Sequence, residues 1–258
     1  MEPSEHIDAL RAASARLSAA AAAAGPAADV PTCPDWVVRD LVRHQGGVHR
    51  WATGIVGTPR TEPWRADLDE VVGTWPDDAG LIAWFGAGAG HLARTLADAD
   101  PAVTCWTFLA GPSPLAMWAR RQAHETSVHA VDAELAAGWP AGEVPAPFAA
   151  DGVSELLTCF ITRPGGQLRA GQVRRLRVRC TDAEGDWLVA IGPDRVITTP
   201  AGPAGALTGT GPADCEVSGR AGDLYLTLWN RAPASGLTVH GDAGVLGLFL
   251  DRVHIRWS

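Results

Sequence analysis

The sequence predicts a helical first half folded as a four-helix bundle, followed by a smaller α+β domain. Three observations carry this. Up to about residue 137, apolar residues recur at helical spacing in long stretches. A Pro/Ala stretch, EVPAPFAA, follows at 143–150 and reads as a linker. Beyond it, short runs alternate apolar and polar residues between Gly, Pro and Asp turns. With 258 residues, 47% of them hydrophobic, the chain has material for two cores, placed at 1–143 and 144–258.

The first helix is expected from about Glu5 to Ala24, where Gly25-Pro26 stops it. The second follows PTCPDW. Pro34 suits a first-turn position, and Asp35 suits the positive end of the helix dipole, with the helix running to about Val56. The third covers about Asp77 to Ala99 and ends before Pro101. Its FGAGAGHLA carries glycines that weaken a helix, so they either admit a close neighbour or mark a kink. The fourth starts near Ser113-Pro114 and runs to about Ala137, stopped by Gly138 and Pro140. Connections of roughly ten to twenty residues fit a bundle.

In the second domain, DGVSELLTCFI reads as a short helix. VRRLRVRCT, DWLVAIGP, RVITTPA and CEVSGR read as strands. AGDLYLTLWNR reads as a helix, LTVHGD as a strand and VLGLFLDRV as a last helix.

Composition excludes several functions. The net charge is −8 and all 21 basic residues are Arg. No Arg cluster offers the basic face that nucleic acid needs. The basic run at 173–179 alternates, so it reads as a strand with a solvated face. The N-terminus has acidic residues early and no signal-peptide pattern, and no apolar stretch is long enough to span a bilayer. The expectation is a cytoplasmic protein. The five cysteines are far apart, odd in number and without a CxxC, which points to free buried thiols.

The chemistry concentrates in RQAHETSVHAVDAE, residues 121–134. HETSVH resembles a zinc-protease motif, but His124 and His129 stand five apart, about 140° around a helix. Glu125 and His129 stand four apart and share a face, and Gln122 and Asp132 continue that line. In the second helix, Val37, Leu41, Val48, Trp51 and Ile55 mark an apolar stripe. His44 lies on it and His49 lies well off it. Two readings stay open. His44 is a core histidine and Glu125 an exposed partner of Arg121, or His44, Glu125 and His129 hold a divalent ion. That donor set leaves a position open, as catalytic zinc sites do, and also suits iron, manganese or nickel. Asp132 is then either an acceptor for an imidazole N–H or an Arg partner.

TCPDWVVRDLVRHQGGVHRWA (32–52) and WARRQAHETSVHAVDAE (118–134) resemble the signature stretches of the mycothiol-dependent maleylpyruvate isomerase family, one of the DinB-like metal-binding four-helix bundles. The resemblance continues more weakly in FAADGVSELL, GRAGDLYLTLWNR and LTVHGD. It implies a metal triad at His44, Glu125 and His129, with zinc the first choice. It implies a sterol-carrier-like C-terminal domain that contributes an Arg, placed on Arg231 with Arg220 second. It implies mycothiol as thiol cofactor and a small electrophilic substrate, with no nucleic-acid or membrane partner, in a monomer or homodimer. A metal that lowers a thiol pKa would drive addition to an activated C=C bond, serving a cis–trans isomerase or a thiol S-transferase. A thiol-independent biosynthetic enzyme and a non-catalytic carrier of an apolar ligand are the alternatives. Trp51, Trp64, Trp75, Trp84, Trp106 and Trp118 read as core filling, or as a set suited to a larger substrate.

Overall fold

The structure is a computed structural model describing residues 1–200 and 212–255. It divides into two compact units, Met1–Gly142 and Glu143–Ser258.

The first unit is built on α1 (Pro3–Ala24), α2 (Val38–Gly57), a short α3 (Leu68–Val72), α4 (Leu81–Asp98) and α5 (Pro114–Ala136). α1 packs along α5, and α2 packs against both α4 and α5. Local chemistry sets the ends. Ser113 Oγ accepts from Ala116 N–H at 3.1 Å, and Pro114 occupies the first turn of α5, where its missing N–H costs nothing. Gly25, at φ 83°, ends α1. Arg16 of α1 clamps Glu134 of α5 through two bonds of 2.8 and 2.9 Å.

Three expectations are corrected here. α2 begins at Val38, not in the Pro34 turn, because Asp35 takes φ 73° and cannot continue a helix. Asp40 caps α2 instead, accepting from Val37 N–H at 3.1 Å. α4 begins at Leu81, because Asp77 Oδ1 accepts from Gly80 N–H at 2.9 Å and closes a turn before the helix. α3 lies inside a stretch expected to be plain connection. Asp67 caps it, accepting from Glu70 N–H at 2.8 Å, and five residues are too few to show a period.

Two glycines of the α2–α4 seam serve close approach. A Cβ on Gly88 of α4 would sit 2.4 Å from Arg50 Nη1 of α2. A Cβ on Gly46 would sit 2.2 Å from the Trp84 ring. The Arg50 guanidinium lies 3.7 Å from the Trp84 ring centroid, a cation–π contact inside the α2–α4 seam.

In the second unit, α6 (Ala146–Glu155) runs into a π-helical turn, Leu156–Phe160. The expected linker is therefore partly helix. Pro147 sits in the first turn, where proline is compatible with helix, and this hid the start. A five-stranded sheet has the order β3-β2-β1-β4-β5. Its strands are β1 (Arg174–Cys180), β2 (Asp186–Ile191), β3 (Val196–Pro200), β4 (Cys215–Gly219) and β5 (Thr238–Gly241). β1 and β4 run parallel and the other pairs antiparallel. Ala201, the last residue of RVITTPA, lies outside the described residues. Leu176 and Val178 of β1 are buried, in register with Val189 and Trp187 of β2. On the opposite face Arg177 pairs with Asp186 at 2.6 Å and Glu216 at 3.5 Å, so the basic run is an ion-paired sheet face. α7 (Ala221–Leu228) and α8 (Ala243–Arg252) complete the unit.

Candidate metal centre

Two long helices bring the chemistry together. His44 projects from α2, and Glu125 and His129 from α5. One ligand atom of each lies within 4.8 Å of the other two. His44 Nε2 is 3.8 Å from Glu125 Oε1, too long for a hydrogen bond. The His44 and His129 rings meet edge to face, with centroids 5.3 Å apart. Glu125 is 4% exposed, so it is no surface partner of Arg121, and that reading is set aside. The pair exists but is buried, with Arg121 Nε 3.6 Å from Glu125 Oε2. Burial works to raise the Glu125 carboxyl, but nearby His44 and the Arg121 guanidinium outweigh it and hold it below its ordinary value. Glu125 is thus kept as an anionic donor.

Whether these residues suit a cation is decided by loose ends. His44 Nε2 and Glu125 Oε1 are buried atoms with no hydrogen-bond partner. An unsatisfied buried polar atom costs on the order of 1–3 kcal/mol, and here an imidazole nitrogen and a carboxylate oxygen face one another. A divalent cation held between them would satisfy both. The donor set fits such an ion.

The support of His129 is local. Its Nδ1 lies 2.8 Å from Asp132 Oδ2, one turn along α5. Asp132 also accepts from Thr32 Oγ1 at 2.5 Å and Cys33 Sγ at 3.5 Å. This is the orienting arrangement in which a carboxylate fixes one imidazole nitrogen and frees the other for a ligand. Cys33, His129 and Asp132 also form a possible ligand group, but their hydrogen bonds make them the buttress of His129. Trp36 packs beside both histidines, its ring centroid 5.0 Å from His44 and 6.3 Å from His129. Sequence reasoning missed Trp36. Its signal was its place in CPDW, just before the helix that carries the candidate ligand His44.

His124 turns away from the triad toward α1, where its ring lies 5.9 Å from His6. His49 corrects the stripe. It is fully buried, because α2 is covered on two sides, by α4 and α5. Its Nε2 lies 2.9 Å from Gln45 Nε2 and 2.9 Å from Thr126 Oγ1, and its ring packs on Phe85 at 5.3 Å. Burial pushes its imidazole down to about 3, so it is neutral at ordinary pH. Gln122 lies on the Glu125 line and is also fully buried.

The tryptophans fall into packed groups. Trp51 meets Trp118 at 5.2 Å and Trp106 at 6.0 Å, and Trp75 meets Trp84 at 5.7 Å. In the second unit, Arg231 follows Asn230, which takes φ 60°, and its Nη1 donates to Trp229 O at 2.8 Å. Arg220 precedes α7, with Nε 3.2 Å from Asp182 Oδ2. The cysteines of the described residues are all free. Among the described residues, no helix is long and apolar enough to cross a membrane.

Known proteins bear on this arrangement. The profile of the mycothiol maleylpyruvate isomerase N-terminal domain matches residues 7–134, and that of the C-terminal domain of the same family (MDMPI) matches residues 147–248. No curated protein sequence matches. Two crystal structures of the mycothiol-dependent maleylpyruvate isomerase, one of them a histidine-to-alanine mutant, superpose with TM-scores of 0.62 and 0.64. Each is 14% identical over 93% of both chains, so the likeness is one of fold. With both of its domains matched in order along the sequence, the chain belongs to the mycothiol maleylpyruvate isomerase family.

Proposed function

We propose that this protein is a cytoplasmic, metal-dependent enzyme that brings mycothiol to a small electrophilic substrate, as a cis–trans isomerase of the maleylpyruvate type or as a thiol S-transferase. His44, Glu125 and His129 are the proposed ligands, with zinc the first choice. The observation that carries this reading is the pair of buried, partnerless atoms, His44 Nε2 and Glu125 Oε1, facing one another at 3.8 Å. When bound, a divalent ion there supplies a Lewis-acidic centre with an open position, able to lower the pKa of a thiol.

The chain's own residues do the rest. Asp132 holds His129 by Nδ1 and leaves Nε2 for the ligand role. His44 and then Arg121 keep Glu125 ionised against its burial. Trp36 covers the two imidazoles with an apolar face and limits water at the site. The role of holding a substrate carboxylate is assigned to Arg231 on the family pattern, since a guanidinium grips a carboxylate with two hydrogen bonds.

Thiol chemistry accounts for both activities. A thiolate adding to an activated C=C leaves a single bond that rotates. The addition leaves the negative charge on the substrate; expelling the thiolate again re-forms the C=C as the trans isomer, and protonating the carbon with the thiol's proton instead gives the S-adduct. The test is to incubate metal-loaded protein with mycothiol and a panel of electrophiles, separating isomers from adducts by mass spectrometry. Thiol-dependent turnover is the expected result. Turnover that ignores the thiol, or none with any electrophile, contradicts the proposal.

A further inference from the structure

Next to the triad, the α2–α5 seam holds a second polar group that the metal reading does not use. Gln45 and His49 of α2 and Gln122 and Thr126 of α5 are all fully buried. Gln45 Nε2 donates to Thr126 Oγ1 at 2.9 Å, and Thr126 Oγ1 donates to the Gln122 carbonyl at 2.7 Å. With His49 Nε2 2.9 Å from Thr126 Oγ1, these bonds join the four residues into one network, Gln122 through its backbone carbonyl. It has loose ends: Gln45 Oε1, His49 Nδ1, and both Gln122 Oε1 and Gln122 Nε2 lack a hydrogen-bond partner.

Gln122 is the extreme case. Neither end of its amide is satisfied by protein, and burial keeps both from bulk solvent. Each orphaned end costs on the order of 1–3 kcal/mol, so leucine or methionine would fit a seam position better if stability alone mattered. Gln122 stands three residues before Glu125 and seven before His129, on the same helix face, about one turn from the triad. Its side chain has three rotatable torsions.

We propose that Gln122 is a specificity-determining residue that pairs with an amide of the thiol cofactor. This inference rests on the thiol reading above. A thiol built on cysteine carries amide groups on the carbon next to its S–CH2 group, roughly 3–5 Å from the sulfur. The rise of one helix turn, about 5.4 Å, matches that scale. A carboxamide offers a donating NH2 and an accepting C=O side by side, the complement of another amide. The network carries no net charge, which suits a neutral amide better than a carboxylate. Gln45 and His49 stand behind Gln122 and hold Thr126, which fixes the Gln122 backbone carbonyl.

The test uses full-length, zinc-loaded protein with Gln122→Leu, and Gln122→Met as a second variant should the first not fold. Three quantities are read: the thermal midpoint, the bound zinc, and the Kd for mycothiol and for 2-mercaptoethanol, which has no amide. The inference expects a thermal midpoint at or above wild type and unchanged zinc. It expects mycothiol to bind at least tenfold more weakly and 2-mercaptoethanol to bind as before. Equal mycothiol affinity in variant and wild type overturns it, as does equal weakening of both thiols. If wild-type, zinc-loaded protein binds neither thiol, the thiol reading itself fails and the inference falls with it.

Discussion

Asp132 and His129 are joined one turn apart on α5, carboxylate oxygen to imidazole Nδ1 at 2.8 Å, and Thr32 Oγ1 donates to the same carboxylate from the loop before α2. The loop and the helix thus fix the ring that the triad needs.

Asp132→Asn keeps the size of the side chain and removes its charge. Metal affinity is expected to fall about 10–100-fold, the usual effect of losing a carboxylate behind a ligand histidine. Competition titration with a chromophoric chelator measures it. Unchanged affinity would reduce Asp132 to a helix-to-loop tether.

Much of this was legible in the sequence, and the misses share a cause. Glu125 and His129 were readable because both sit on one helix, where a spacing of four fixes a face. His44 was placed by its stripe. The same stripe misplaced His49, because one apolar line cannot describe a helix covered by both α4 and α5. Trp36 and Thr32 were invisible as site residues because they reach it from an irregular turn, in which Asp35 takes a positive φ. Strand periodicity located the runs of β1 to β5, but nothing in them announces that β4 pairs parallel to β1 across a long connection.

The buried His49 predicts acid sensitivity of the bundle. Its imidazole stays neutral down to about pH 3 in the folded state, whereas in the unfolded chain it takes a proton near pH 6.5. Below about pH 6.5 the unfolded state therefore binds the extra proton, and stability falls as pH drops toward 3, by up to about 1.4 kcal/mol per pH unit. Urea unfolding of metal-free protein at pH 7, 5.5 and 4.5 should show wild type losing more stability than His49→Gln. Parallel losses would contradict a neutral, buried His49.

Glycines of α2 and α4 should respond in opposite directions, Gly46 lying in the seam and Gly86 on the exposed face of α4. Gly46→Ala places a methyl 2.2 Å from the Trp84 ring and should destabilise by about 1–3 kcal/mol. Gly86→Ala, with nothing within 4 Å, should stabilise by about 0.5–1 kcal/mol. Chemical denaturation of both variants checks the pair.

The Arg16–Glu134 clamp should be worth measuring alone. Arg16→Ala leaves Glu134, 6% exposed, with the Gly142 N–H at 2.7 Å in place of three bonds. A loss of about 1–3 kcal/mol is expected in urea unfolding, with metal content unchanged because the clamp lies away from the triad.

The central claim is that His44, Glu125 and His129 hold a divalent ion. Elemental analysis of purified protein, wild type beside His44→Ala, Glu125→Ala and His129→Ala, tests it most directly. The expected result is about one divalent ion per wild-type chain and its loss in each variant, with circular dichroism unchanged. Stoichiometric metal retained in His44→Ala and His129→Ala would contradict the triad.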